Sequence, residues 1–225
     1  MKLSVLIAAI NEEAKIAASI SSAFGGGASE VIVSDGGSTD RTTNVAKAGG
    51  ARVIHSEQGR ALQFNSAARL AIGEVILFLH ADCILPPDFA EQIENALKQG
   101  AQCGVFRQRI DSDRFIFRLI ELGNTWRVRL RNLAYGDQGI WIKKRLFHDL
   151  GEFPTTKLME DYLFSETLRQ KQRYSVLKGP LLISPRRWES QGVIRQTLLN
   201  WTIIRRYRRG ASPDELAKVY RRHDQ

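Results

Sequence analysis

The sequence predicts an α/β fold, a mostly parallel sheet flanked by helices, and three observations carry that prediction. Apolar runs of strand length alternate with segments of helical spacing, giving four β-α units in about the first 80 residues. The run Val75-Ile76-Leu77-Phe78-Leu79 is apolar without interruption, as a strand buried on both faces of a parallel sheet should be. The 225-residue chain is 43% hydrophobic and 25% charged, an ordinary globular balance with ample sequence for one large domain.

Taken in order, Leu3–Ala9 reads as the first strand. A run this short after Lys2 could also pass for a signal-peptide core, but Glu12-Glu13 stand where a small-residue cleavage site belongs, which favours the buried strand. Residues 13–24 place Ile16, Ile20 and Phe24 at helical spacing and stop at Gly25-Gly26-Gly27. Val31-Ile32-Val33 is a second strand, followed by a polar loop over 34–40 that is dense in turn formers. A helix over 41–48 ends at Gly49-Gly50, Val53-Ile54 is a third strand, and Gln58-Gly59-Arg60 opens a helix through Ala71. The fourth strand, 75–79, cannot extend past Pro86-Pro87.

The second half is less regular. Residues 103–110 alternate as a strand, and 115–133 form a helix with an apolar stripe (Ile116, Leu119, Ile120, Trp126, Leu130). That stripe is expected to face the core, with Arg118, Arg127, Arg129 and Arg131 solvated. Residues 135–142 lead from a turn into a strand, with Asp137 read as a turn residue. A helix over 160–170, strands at 174–177 and 181–184, and a helix over 193–209 follow. The arginines of the last helix crowd its C-terminal end, which the helix dipole favours and an anionic lipid surface would also favour.

Charge is unevenly spread. Residues 1–100 carry eight Lys/Arg against eleven Asp/Glu, and residues 101–225 carry 25 against 13. The second half therefore suits an anionic partner: phosphate, nucleic acid or a membrane surface. A nucleic-acid-binding protein would leave the acidic first half unexplained, and no helix-turn-helix, RRM or zinc pattern is present. A dinucleotide binder would need G-x-G-x-x-G after the first strand, where Ala8-Ala9-Ile10-Asn11 stands instead. A nucleotidyltransferase would want a glycine-rich basic loop at the same place. Cys83 and Cys103 form no CxxC pair, as expected in a reducing cytoplasm, and no run reaches the ~20 apolar residues needed to cross a bilayer.

Ligands of open α/β sheets bind beyond the carboxyl ends of the strands. Here those ends offer Asn11-Glu12, Asp35 to Asp40, and His80 with Asp82. A carboxylate and an imidazole so placed can hold a hard divalent cation that also takes phosphate oxygens. Asp35 can pair with a uracil imide or a ribose hydroxyl, while Asp40 is expected to cap the next helix.

The stretch from Ser4 to Asn11-Glu12-Glu13 resembles the opening of the family-2 glycosyltransferases, written P-x-x-N-E-E after a strand, with Ala8 in place of the proline. Asp35-Gly36-Gly37-Ser38-Thr39-Asp40-Arg41-Thr42 is similar to that family's D-G-S-T-D-x-T loop, and His80-Ala81-Asp82 stands in the place of its D-x-D metal motif. Glu160-Asp161 is similar to its E-D motif, and Gly136-Asp137-Gln138-Gly139 to a segment lining the acceptor side. Gly59-Arg60-Ala61, Leu79-His80-Ala81-Asp82 and Arg186-Arg187-Trp188 resemble a bacterial subgroup of radical-SAM/selenodomain-associated transferases. The resemblance covers roughly residues 3–190.

What the resemblance implies is a GT-A, Rossmann-like fold with a nucleotide-sugar half (1–105) and an acceptor half (106–190), and the arginine-rich remainder reads as a basic helical extension (191–225) of the same single domain over 1–225. It implies a nucleotide-diphosphate sugar, a UDP-sugar first, bound by Ala8, Asn11, Glu12, Asp35, Arg60, Ala81, Asp82, Arg187 and Trp188. Asp82 and His80 would hold a divalent metal, with the imidazole suiting Mn²⁺ better than Mg²⁺. Asp161 would be the general base, favouring inversion. The acceptor stays open, with a lipid-linked molecule among the candidates. Nucleic acid is not expected as a partner. The expected location is the cytoplasm, with contact to the inner membrane face through the C-terminal helix as an open alternative.

Overall fold

The computed structural model describes residues 1–221. Strand and helix alternate through the first half: β1 (Leu3–Ala9), α1 (Ile16–Gly25), β2 (Glu30–Asp35), α2 (Thr42–Ala48), β3 (Arg52–His55), α3 (Arg60–Leu70) and β4 (Val75–His80). A two-residue strand, β5 (Cys83–Ile84), and α4 (Phe89–Lys98) complete it. The second half runs β6 (Cys103–Ile110), α5 (Phe115–Arg131), a 3-10 turn (Gly136–Gln138), β7 (Trp141–Lys143) and α6 (Lys144–Asp149). It continues through α7 (Glu160–Leu168), β8 (Ser175–Ile183), α8 (Arg186–Gln191), α9 (Val193–Tyr207) and α10 (Pro213–Arg221).

One eight-stranded sheet has the order β3-β2-β1-β4-β7-β6-β8-β5. The first four strands pair in parallel, as their β-α alternation requires. The short β7 runs antiparallel to both β4 and β6 and so joins the two halves of the sheet. On the far side β6 and β8 are parallel, and β5 pairs antiparallel with β8. The segment 174–184, expected as two strands, is one strand whose register against β6 shifts between Phe106 and Gln108.

Period-two alternation decides what each face of the sheet covers. Leu3, Val5, Ile7 and Ala9 of β1 pack with Ile16 and Ile20 of α1 and with Phe89 and Ile93 of α4. Leu6 faces the opposite layer, with Phe64, Ala67 and Ala68 of α3 and Phe147 and Phe164 beyond. In β4, Val75, Leu77 and Leu79 belong to the first layer, and Ile76 and Phe78 to the second. Each fully buried side chain of this kind stabilises by about 1.5–3 kcal/mol, so a strand apolar on both faces is firmly held. His80 continues the Ile76–Phe78 side, its ring stacked 6.4 Å from Phe64. The sheet thereby aims the imidazole toward α3 rather than α1.

The helix α5 departs from expectation. Ile116, Leu119, Trp126 and Leu130 are exposed, while Phe117, Thr125 and Val128 pack inward. The helix has two apolar faces, and its contact with β6 covers the one containing Phe117 and Val128. Helices α4, α6 and α8 also went unread in the sequence, and α10 falls within the expected helical extension. The last two helices fold back on the domain: Ile203, Leu216 and Ala217 form a third apolar cluster with Leu158, Met159 and Tyr162.

The exit of β1 is stapled to the loop after β2. Asn11 takes a left-handed conformation (φ 53°), donates its backbone N–H to Ser38 Oγ (3.0 Å) and accepts the Thr39 N–H on Oδ1 (2.8 Å). Glu12 N–H donates to Thr42 Oγ1 at 2.8 Å, and Asp40 accepts the N–H groups of Thr42 and Glu13 at 2.9 and 3.2 Å. Gln63 of α3 donates to the carbonyls of Ala9 (3.0 Å) and Ser34 (2.8 Å), tying both strand ends together. A Cβ on Gly36 would lie 2.8 Å from Ile10 Cδ1, so a larger residue there would have to displace the Ile10 side chain. Replacing Asn11 by Ala removes the acceptor of a backbone N–H and puts an unsuited residue in the left-handed region. It should lower unfolding stability by about 1–2 kcal/mol in urea titration, and unchanged stability would count against a structural role for Asn11.

Candidate active site

Beyond the carboxyl ends of β1 and β4 lies a cleft of about 690 Å³, closed on its other sides by residues of α7, α8, α9 and α10. Ala8, Glu12, Arg60, His80, Ala81, Asp82, Asp161, Arg187 and Trp188 all line it. Of the residues proposed from sequence, the cleft lining omits two. Asn11 is the staple described above. Asp35 is 2% exposed, and its carboxylate accepts the N–H groups of Gly37 (3.1 Å) and Ser38 (3.2 Å) in its own turn, with His55 Nδ1 at 3.4 Å.

His80 and Asp82 stand at the end of β4 with Cys83, their ligand-type atoms within 4.8 Å of one another. The imidazole pKa is pushed down to about 3, first by burial and then by the positive charges of Arg60 and Arg187. Its ring is therefore neutral and offers a lone pair. Burial, followed by the negative charge of Asp82, pushes the Cys83 thiol well up, so that it stays protonated. The usable donors are one nitrogen and one carboxylate, a set that fits a cation completing its shell with phosphate oxygens and water.

Arg186, the first residue of α8, reaches across the cleft. Its Nη2 lies 2.8 Å from Glu12 Oε1 and 3.6 Å from Asp82 Oδ2. The side chain of Glu12 is thus engaged by an arginine. The sequence showed Arg186 only as part of a motif, and its placement depends on the long return of β8 to this edge. Arg187 donates to the Tyr220 hydroxyl at 2.7 Å, bringing α10 to the cleft. Trp188 packs edge-on against Phe117 at 5.8 Å while still lining the cavity.

Arg60 pairs with Glu160, Nε to Oε1 at 2.7 Å. Glu160 is 4% exposed, and burial pushes its carboxyl up against the pull of Arg60, while Glu160 holds the arginine firmly charged. The next residue, Asp161, accepts the Gly136 N–H on Oδ2 (2.5 Å) and the Tyr162 N–H on Oδ1 (2.7 Å). Gly136 is wedged between the two polar groups: a Cβ there would lie 3.1 Å from His80 Nε2 and 3.2 Å from Asp161 Oδ2. A glycine lets imidazole and carboxylate flank one stretch of bare backbone.

Asp137, read from sequence as a turn residue, lines the cleft as well. Burial pushes its carboxyl up, partly offset by Arg127, and its Oδ1 is buried with no hydrogen-bond partner among the described residues. The only signal for it in the sequence was the Gly-Asp-Gln-Gly resemblance.

A parallel sheet whose carboxyl edge presents a carboxylate, a neutral imidazole and several arginines defines a class of enzyme that handles an anionic, phosphate-bearing donor. Residues 4–153 match the family model described as glycosyl transferase family 2, and the chain belongs to that family. A stretch covering 37% of the chain is 40% identical to glucosyl-3-phosphoglycerate synthase of Mycobacterium tuberculosis, of which it covers 30%. The match thus spans less than a third of that relative. Among solved structures, S. aureus TarS (residues 1–349) is similar in fold, with TM-score 0.67 at 20% identity over 83% of this chain and 61% of that one. The M. tuberculosis synthase in complex with Mn²⁺ and UDP-glucose gives TM-score 0.51 at 25% identity over 68% of this chain and 60% of that one. Family membership supports the glycosyltransferase reading over that of a nucleotidyltransferase on a similar sheet. Among the described residues no helix is long and apolar enough to cross a membrane.

The shielded imidazole has a measurable consequence. The unfolded ring takes up a proton near pH 6.5 and the folded ring only near 3, so the unfolded state binds more protons in between. The stability contributed by the neutral ring is complete above pH 6.5 and is lost as the pH falls toward 3. Between pH 7 and pH 5 this one group should lower stability by about 2 kcal/mol, a loss absent in His80→Gln. Urea titration of both proteins at the two pH values checks it, and identical losses would show that the ring is not shielded.

Proposed function

We propose that the chain transfers a sugar from a nucleotide diphosphate, a UDP-sugar first, to an acceptor hydroxyl, with Asp161 as general base. The observation that carries this reading is the meeting of the β4 end and α7 across Gly136, which sets His80 and Asp161 on either side of one backbone stretch. Asp161 sits in the same cleft as Asp82 and three arginines. The acceptor hydroxyl would give its proton to Asp161 as its oxygen attacks the anomeric carbon, and the departing diphosphate would take both electrons of the broken C–O bond. Arg60, Arg186 and Arg187 supply positive charge toward that leaving group.

His80 and Asp82 would hold a divalent cation, Mn²⁺ suiting the mixed donor set better than Mg²⁺. Such an ion supplies Lewis-acid neutralisation of diphosphate charge. Glu12 and Asp82 both contact Arg186, so a bound donor would compete with these carboxylates for the guanidinium. The relatives support the donor class: structures of TarS are described with UDP and with UDP-GlcNAc, and the mycobacterial synthase with Mn²⁺ and UDP-glucose. A carboxylate base suits direct displacement with inversion. The same reading keeps 1–105 as the donor half and 106–190 as the acceptor half. It keeps the radical-SAM/selenodomain-associated subgroup on the strength of Gly59-Arg60-Ala61 and Arg186-Arg187-Trp188.

Two substitutions separate the roles. Asp161→Asn retains side-chain size but accepts no proton, so donor affinity should stay within a few-fold while kcat falls by about 10²–10⁴. An unchanged kcat, measured with donor Kd and melting temperature on the same protein, would remove Asp161 from the mechanism. Asp82→Ala should abolish the Mn²⁺-dependent part of UDP affinity in calorimetry, and His80→Ala should weaken it less. UDP and Mn²⁺ binding untouched in Asp82→Ala would refute the assignment of the strand end as the metal site.

A further inference from the structure

The exposed stripe of α5 is not isolated. Leu119, Leu122, Trp126 and Leu130 recur every three or four residues along one side of that helix, with Phe115 and Ile116 at its start. Helix α9 repeats the pattern with Ile194, Leu198 and Trp201, its other side packing inward through Val193, Gln196 and Ile203. These nine large apolar side chains are 38–73% exposed. The two helices border a single groove of about 1010 Å³, into which Leu119, Trp126, Leu130 and Trp201 all face. Single exposed apolar residues need no explanation, but two exposed helical stripes that meet at one groove, through Leu119, Trp126, Leu130 and Trp201, are an interaction surface.

The chemistry around the groove selects its occupant. Arg131, Arg205, Arg208 and Arg209 line it, within a half of the chain that carries 25 Lys/Arg against 13 Asp/Glu. Tryptophan and leucine sharing one groove with arginine match the composition of a membrane interface, where indoles sit at headgroup level and guanidinium groups meet lipid phosphates. A second copy of the chain would bring the same arginines face to face, which like-charge repulsion disfavours. No described helix is long and apolar enough to span, so such a surface would lie on the bilayer.

We propose that α5 and α9 together form an interfacial platform that seats the protein on an anionic lipid bilayer. The platform adjoins the cleft: Tyr135, Asp137 and Tyr162 line both the groove and the cavity that contains Asp161. A docked chain therefore holds that cavity at the level of the lipid headgroups. Only the bearing of this on the acceptor, which would be drawn from the lipid phase, rests on the reading of the cleft as a transfer site. Docking itself does not.

Flotation of the full chain with vesicles tests the platform without donor or acceptor, so its failure and a failed transfer assay are separate results. The chain should float with vesicles of phosphatidylcholine and phosphatidylglycerol, and only weakly with phosphatidylcholine alone. Tryptophan emission should shift to the blue on binding, because Trp126 and Trp201 are exposed while Trp141 is fully buried. Trp126→Gln/Trp201→Gln should cut partition by about tenfold or more with unchanged melting temperature and UDP affinity. Arg205→Gln/Arg209→Gln should weaken binding to the anionic vesicles alone. No flotation with anionic vesicles, or flotation indifferent to the tryptophan pair, would overturn the proposal. So would a sedimenting dimer that the tryptophan substitutions dissociate while vesicles go unbound, which would assign the face to a second copy.

Discussion

The ion pair between Arg60 and Glu160 is the constraint on which the cleft depends. It joins the first residue of α3, packed against β1 and β2, to the first residue of α7, which belongs to the second half of the chain. Glu160 is almost wholly buried, so its charge has no water to turn to, and a buried charge left without its partner costs roughly 3–5 kcal/mol. The pair thus fixes the distance between the two halves at the point where they must cooperate. Asp161 inherits its position from its neighbour in sequence, and Gly136 then closes the gap to His80.

Around this pair the cleft alternates charge. Glu12, Asp82, Asp137 and Asp161 interleave with Arg60, Arg186 and Arg187. Without a ligand the two sets partly satisfy each other, through Arg186 with Glu12 and Arg60 with Glu160. Such a site presents both signs of charge within one cavity. The neutral state of His80 belongs to the same arrangement, because the nearby arginines and burial both disfavour a third cation there. The acidic strand ends of the first half and the arginines of the second are one site divided between two stretches of sequence.

The C-terminal helices are structural members of the domain. Ile203, Leu216 and Ala217 bury against Leu158, Met159 and Tyr162, and Tyr220 receives the Arg187 hydrogen bond at the cleft. Composition alone marked this region as a basic extension, but its buried face is apolar and adjoins α7.

The sequence by itself determined the sheet's first half and the strand ends that border the cleft. A strand apolar at every position can only be buried on both faces, and a chain that alternates such strands with helices has few topologies open to it. The place of His80 and Asp82 beside the cleft was legible for that reason, and that of Asp161 through a motif. Tertiary structure decided what each polar group faces. Asp35 was expected to bind the donor because it ends a strand; its carboxylate accepts its own turn amides, and it does not line the cleft. Arg186 and Asp137 gained their places from β8 and the 3-10 turn returning to the edge of β4, contacts between residues far apart in sequence. Helix α5 shows the reason most plainly. Periodicity reveals that a face is apolar, but α5 has two such faces, and only the packing of β6 against one of them leaves the other to the surface.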